Sequence, residues 1–235
     1  MRYVVIIPVR DTYPGSQCPV KRANQELQAL WSTMLPRSST IPIIGKVPWG
    51  LIASMEIETN RLILRRWQSS DVEPFVSLNA DPRVMEFFPA TLSRTETEAM
   101  ISTIEERIGR DGFGFWAAEL KESKGFIGFI GFIGLNVPGY LLPFSPCVEV
   151  GWRLAFDCWG KGYAQEGARA ALAFGFGSVG LKEIVSFTTV NNVRSRRVME
   201  RIGMTYDSQG DFDHPELPLR HPLRRHVLYR KVRSA

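Results

Sequence analysis

The chain has 235 residues, 44% of them hydrophobic and 23% charged, an ordinary balance for a globular protein with room for a sizeable core. No apolar run is long enough to span a bilayer, and three cysteines without paired spacing (Cys18, Cys147, Cys158) give no disulfide framework and suit a reducing cytoplasm. The net charge of +5 sits mostly in residues 1–54, which hold six Lys/Arg against two Asp/Glu, while residues 55–235 hold 23 against 22, so the basic balance argues for neither nucleic acid nor membrane as a partner.

Residues 1–54 carry no persistent amphipathic period. Tyr3–Val9 is apolar but too short for a secretory core and has no clear cleavage site, and Gln25–Leu35 reads as a short helix. After this leader the chain reads as one α/β domain over residues 55–235. Leu62–Trp67 predicts a first strand and Ser70–Asn79 a helix. Asp81-Pro82 opens a short helix over Arg83–Phe87, and Ser93–Gly109 predicts a longer one, with Ser93 and Glu96 spaced as a capping box. Strands follow at Phe113–Leu120 and Gly125–Leu135 in hairpin order. The second repeats Phe-Ile-Gly every three residues, against a strand period of two, so either both faces are covered or a bulge resets the register.

Val148–Leu154 alternates like a strand, and Trp159-Gly-Lys-Gly-Tyr-Ala164 follows it. A helix then begins at Tyr163 and runs to about Gly177, with Ala164, Ala168, Ala171, Leu172 and Phe176 at helical spacing. A glycine turn between a strand and a helix start can present several backbone N–H groups and the positive end of the helix dipole to a phosphate. The turn lacks the Lys-Ser/Thr of a nucleotide triphosphatase loop, and Gly167 comes too late for a dinucleotide fingerprint, which weighs against an NAD-dependent oxidoreductase. Downstream, Glu183–Thr189 predicts a strand, and Asn192 is placed to cap a helix with Val198, Met199 and Ile202 on its apolar face and Gly203 at its end. Thr205–Tyr206 and Arg225–Lys231 read as the last strands.

Together these two motifs resemble the GNAT acyltransferase superfamily, and within it the branch of ribosomal-protein N-terminal acetyltransferases. The family's Gln/Arg-x-x-Gly-x-Gly/Ala falls on Trp159, Gly160, Lys161, Gly162, Tyr163 and Ala164, with Trp159 in place of Gln/Arg, and Asn192-Val-Arg-Ser195 matches its Asn-x-x-Ser. Thr59-Asn-Arg-Leu-Ile-Leu-Arg-Arg66 looks like the family's first strand, and Met55 like its natural start. The leader is therefore expected to be translated upstream sequence, with a targeting peptide or a small accessory segment as alternatives. The resemblance covers about residues 56–232 and implies a mixed, mostly antiparallel sheet flanked by helices. It also implies an acetyl-CoA-dependent N-acetyltransferase in the cytoplasm, monomeric or homodimeric, with no metal.

The resemblance further implies direct attack of an amine on the acetyl-CoA thioester, the acceptor being a protein N-terminus or a small amine. The pyrophosphate then rests on N–H groups from Trp159 to Ala164. The thioester carbonyl is polarised by a backbone N–H within Val150, Gly151, Trp152 and Arg153, where oxyanion charge develops. Glu149 is the candidate base, directly or through water; the alternative is an exposed strand carboxylate paired with an arginine. Ser195 is the candidate acid for the leaving thiolate, Asn192 a pantetheine contact and Arg197 a phosphate contact. A helix-N-terminal hydrogen bond accounts equally for Ser195, and capping alone for Asn192. Between the last two strands, Asp211–His226 holds all three histidines; His214 and His221 are candidates to line the acceptor site, with proline-rich loop packing as the alternative. The spacing of Asp211, Asp213 and His214 fits no compact metal pattern. A non-catalytic acyl-CoA-binding sensor remains the other function class.

Overall fold

The computed structural model describes residues 56–135 and 142–234, so the leader, the Gln25–Leu35 helix, Cys18 and Met55 lie outside the described residues. The strands are β1 (Ile57–Glu58), β2 (Leu62–Arg65), β3 (Phe115–Leu120), β4 (Phe126–Leu135), β5 (Cys147–Leu154), β6 (Glu183–Thr189), β7 (Thr205–Asp213) and β8 (Arg225–Val232). They form one sheet in the order β1-β2-β3-β4-β5-β6-β8-β7, antiparallel at every junction except β5 with β6. The helices are α1 (Val72–Ala80), α2 (Arg94–Asp111), α3 (Tyr163–Gly177) and α4 (Val193–Arg201). This is the mixed, mostly antiparallel α/β architecture expected from the order of elements.

The helix boundaries follow from local chemistry. Ser93 Oγ accepts the Glu96 N–H at 3.3 Å while the Ser93 N–H donates to Glu96 Oε2 at 2.7 Å, the reciprocal capping box legible in the sequence. Gly112, at φ 78°, ends the same helix in the left-handed conformation. Asn192 Oδ1 accepts the Ser195 N–H at 3.1 Å and starts α4, which Gly203 at φ 80° closes. The segment Arg83–Phe87 is a run of turns rather than a helix. Its bonds run from Val84 and Met85 back to the Asp81 carbonyl, and Pro89 stops further winding.

The Phe-Ile-Gly repeat of β4 resolves in both of the expected ways. Its register against β3 shifts between Ala118, opposite Gly128, and Glu119, opposite Phe126, so β4 carries one extra residue. The bulge lets Phe126 and Phe129 share a side despite their spacing of three. Their ring centroids lie 6.0 and 6.1 Å from Phe75 of α1, whereas Phe132 points to the other face, 6.2 Å from Phe174 of α3. Residues 127–133 are all buried, so both faces are covered. The glycines have a steric cause. A Cβ on Gly128 would stand 2.1 Å from the Arg153 carbonyl oxygen, and one on Gly131 2.0 Å from that of Gly114.

One buried charge cluster ties β2 to α1 and β3. The Arg65 guanidinium donates to both Asp71 oxygens at 2.7 and 2.9 Å and to Glu119 Oε2 at 2.7 Å. These two carboxylates hold the Arg65 pKa above its ordinary value, the Asp71 hydrogen bond contributing most. Replacing Arg65 with Met strands one buried and one half-buried carboxylate around one apolar side chain. The expected cost is about 3–5 kcal/mol of unfolding free energy, read as a lower urea midpoint. A loss below about 1 kcal/mol would show that the cluster contributes no more than a surface pair does.

Candidate active site

Strands β5 and β6 share a single register pair, Glu149 with Val185, and part beyond it. A cleft of about 470 Å³ occupies the opening. Its walls are Glu149, Gly151, Trp152, Arg153 and Leu154 of β5, Ser186–Thr189 of β6, and the turn from Cys158 into the start of α3. The first turn of α4 and Phe87 and Phe88, between α1 and α2, complete it.

The direction of the β5 backbone can be read from its ladder. The Ala155 N–H donates to the Ile127 carbonyl at 2.9 Å, so Arg153, Gly151 and Glu149, at a period of two, turn their N–H groups toward β4. Val150, Trp152 and Leu154 therefore turn theirs toward β6. Because β6 pairs only at Glu149, the Trp152 N–H points into the opening. Of the four residues nominated to polarise a carbonyl, Trp152 has this geometry. The Val150 side chain is fully buried and takes no part in the cleft lining.

The glycine turn has the geometry its sequence predicts. Gly160 and Gly162 sit at φ 73° and 81°, and Gly162 is the N-cap of α3. The first intrahelical bond runs from the Glu166 N–H to the Gly162 carbonyl at 3.0 Å, which leaves the N–H groups of Tyr163, Ala164 and Gln165 without helical partners. All three residues line the cleft, so a dipole-backed anion cradle faces into it. Lys161 is not part of the lining; its carbonyl accepts from Arg61 Nη1 at 3.0 Å. Trp159 Nε1 donates to the Leu154 carbonyl at 2.8 Å and the Arg194 guanidinium lies 4.8 Å from its ring centre.

The Thr59-Asn-Arg-Leu segment acts on this turn from outside. Thr59 Oγ1, the Arg61 N–H and Arg61 Nε each donate to the Glu166 carboxylate at 2.7 Å, and the Arg61 guanidinium lies 4.6 Å from the Tyr163 ring centre. The β1–β2 turn thus holds the start of α3 in place.

Glu149 is 8% exposed and makes no salt bridge among the described residues, so it is not the arginine-paired surface carboxylate that was the alternative. Burial without a compensating charge pushes its pKa up to about 8. Gly151 and Arg153 share its face of β5. Ser195 is half-buried in the lining, its hydroxyl without a protein hydrogen bond among the described residues, and exposed Arg197 lies on the rim. Asn192 lines the cleft while its Nδ2 donates to Thr188 Oγ1 at 3.0 Å. Cys158 also lines it, with burial raising its thiol pKa, which opposes a nucleophilic role.

His214 and His221, expected to line the acceptor site, are not part of this cleft's lining. His214 is fully buried outside the cleft, its ring centroid 5.0 Å from that of His226, and burial pulls its pKa down to about 4. His221 accepts the Leu223 N–H on Nδ1 at 3.2 Å and is likewise absent from the lining. The histidine at the cleft is His226, on β8 opposite Thr189. Its signal was the alternation of His226, Leu228 and Arg230 along the last strand. Among the described residues no group of three or more His, Cys, Asp or Glu side chains is arranged to hold a metal ion.

Residues 61–205 match the acetyltransferase (GNAT) domain family. The chain belongs to the GNAT acetyltransferase family. The Bacillus subtilis protein YkkB, itself uncharacterized, is 30% identical over 155 residues, 66% of this chain and 87% of that protein. An Aspergillus fumigatus FsC-acetyl coenzyme A-N(2)-transacetylase is 31% identical over 159 residues, 66% of each chain. Among solved structures, RimL, a ribosomal L7/L12 alpha-N-protein acetyltransferase in complex with coenzyme A, shares the fold. Its TM-score is 0.62 at 16% identity, over 76% of this chain and 98% of that one. The protein is thus an acetyl-CoA-dependent acyltransferase of the GNAT type, and the cradle and cleft are of a kind that suits such a co-substrate.

Proposed function

We propose that this GNAT protein moves an acetyl group from acetyl-CoA to a primary amine by direct attack, the acceptor being a protein N-terminus or a small amine. The pyrophosphate rests on the N–H groups at the start of α3, with Arg197 near a phosphate and Asn192 against the pantetheine. The Trp152 N–H donates to the thioester oxygen as it gains charge. Glu149 takes a proton from the acceptor's ammonium, directly or through water, because only the free amine that results has a lone pair to attack with. Ser195 passes to the departing thiolate the proton that the nitrogen loses as the amide forms, directly or through water, and so ends as a hydroxyl.

The observation that carries this reading is Glu149: a buried carboxyl with no ionic partner among the described residues, at the fork where β5 and β6 separate, whose pKa lies close to that of an N-terminal amine at about 7.7–8.0. The test is release of free CoA thiol by the full chain with a panel of peptides and small amines, with the acetylated product confirmed by mass. Transfer to at least one amine supports the proposal. Saturable binding of acetyl-CoA with no transfer to any of them would favour an acyl-CoA sensor instead.

A further inference from the structure

Among the described residues, no group neutralises the charge of Arg153. It is 7% exposed, on the same face of β5 as Glu149, and it forms part of the cleft wall. Nη1 donates to Asn79 Oδ1 at 2.7 Å, a neutral amide, and lies 3.9 Å from Met100 Sδ. The guanidinium carbon stands 4.2 Å from the Phe88 ring centre and 5.5 Å from that of Phe129. Nε is buried with no hydrogen-bond partner. No carboxylate bonds to this guanidinium among the described residues.

Arginine is almost never fully buried unless it is paired, because a buried unpaired charge costs several kcal/mol. The contrast within this protein is direct. Arg65, equally buried, has two carboxylates on its fork, whereas Arg153 has none. Burial accordingly pulls the Arg153 pKa down to about 9, where two carboxylates lift that of Arg65. A planar cation clasped by two aromatic rings, with an unused donor, is suited to a carboxylate or another planar anion.

The side from which such an anion would come follows from the sheet. Arg153 pairs with Phe129, whose face carries α1 and α2. The cradle belongs to α3, which packs on the opposite face, where a Cβ on Gly167 would stand 2.4 Å from Ile130 Cδ1. The anion therefore belongs to the acceptor rather than to the co-substrate. Resting on the acetyl-transfer reading above, we infer that the acceptor is an amine bearing a carboxylate, which the Arg153 guanidinium takes while Glu149 faces the amine. Glu149 and Arg153 are four residues apart on one strand, about 13 Å between Cα atoms, a spacing that suits acceptors whose amine and carboxylate are separated by several bonds.

The test uses the full chain and pairs of acceptors, amino carboxylates of increasing length each set beside its own carboxamide. In the unaltered protein the carboxylates should have kcat/KM at least about tenfold above their carboxamides. Arg153→Gln should erase that preference while leaving acetyl-CoA affinity by titration within about twofold. Asn79→Asp supplies the guanidinium with an internal counter-charge in place of the amide it already touches. It should erase the preference too, so the proposal does not depend on one variant folding. Equal rates on carboxylates and carboxamides in the unaltered protein would overturn the proposal. So would an acetyl-CoA affinity that falls in step with acceptor turnover in Arg153→Gln, which would assign the arginine to the co-substrate. Binding of N-acetylated amino carboxylates, read as a thermal shift in the presence of CoA, separates the two levels of the argument. A shift lost in Arg153→Gln supports the anion site even where no acceptor turns over, and its absence in the unaltered protein counts against it.

Discussion

Glu149→Gln is expected to lower kcat/KM for acetyl transfer by about 100-fold or more while leaving acetyl-CoA affinity nearly unchanged. The glutamine keeps the size and the hydrogen-bonding oxygen of the carboxyl and removes only its ability to take a proton. The pH dependence sharpens the test. A base whose pKa is raised to about 8 is ionised only on the alkaline side, so the rate should rise through that value. In the variant, what remains is the deprotonation of the acceptor alone, and the rising limb should follow the acceptor's own pKa as the amine is changed. An activity that survived within about threefold would remove Glu149 from the mechanism and leave proton removal to water or to His226.

The same substitution has a stability signature of opposite sign. In the folded protein the Glu149 carboxyl holds its proton up to about pH 8, whereas in the unfolded chain it loses it near the ordinary value of 4.5. Between these values the folded state binds more protons than the unfolded state, so this group's contribution to stability falls as pH rises. Glu149→Gln lacks the penalty. It should be as stable as the parent near pH 4.5 and more stable above pH 8, by something on the order of 5 kcal/mol. A variant that is slower yet better folded at alkaline pH would mark a carboxyl kept for chemistry at the expense of stability.

The second large effect concerns the cradle. Gly160 sits at φ 73° with nothing within 4 Å of where a Cβ would be, so Gly160→Val meets no neighbour in the protein itself. The branched side chain is strained at positive φ, at a cost of about 1–2 kcal/mol, and to relieve it the turn must rotate the N–H groups that the cradle aims at the anion. Acetyl-CoA affinity should fall at least about tenfold, with a much smaller change in melting temperature. If the affinity held, the pyrophosphate would have to be bound elsewhere, with Arg194, Arg197 and Arg201 of α4 among the cationic side chains on the cleft.

The elements with local determinants were legible in the sequence. The bounds of α3 follow from Gly162 at positive φ and the apolar spacing of Ala168, Ala171 and Leu172; α4 follows from the Asn192 cap, and β5 from its alternation. The features missed depend on distant parts of the chain. Strand β7 runs to Asp213 instead of stopping at Tyr206 because its register against β8 shifts between Asp207 and Phe212, a bulge with no signature beyond Gly210. Strand β1 is two residues long and has meaning only as the partner of β2. His214 and His221 were nominated by residue type, but the folding of the Asp213–Arg225 connection onto itself carried them away from the cleft. The role of Arg153 was invisible for the same reason: what matters is that no carboxylate among the described residues bonds to it, and an absence in space leaves no pattern along a chain.

The measurement closest to the central claim is a calorimetric titration of the full chain with acetyl-CoA, repeated with CoA already bound. One saturable site per chain, blocked by CoA, is the predicted result, because the anion cradle at the start of α3 opens into a single cleft with the Trp152 N–H and Glu149. Absence of saturable heat, or binding that CoA does not compete with, would contradict the assignment of that cleft to acetyl-CoA and with it the roles given to the residues that line it.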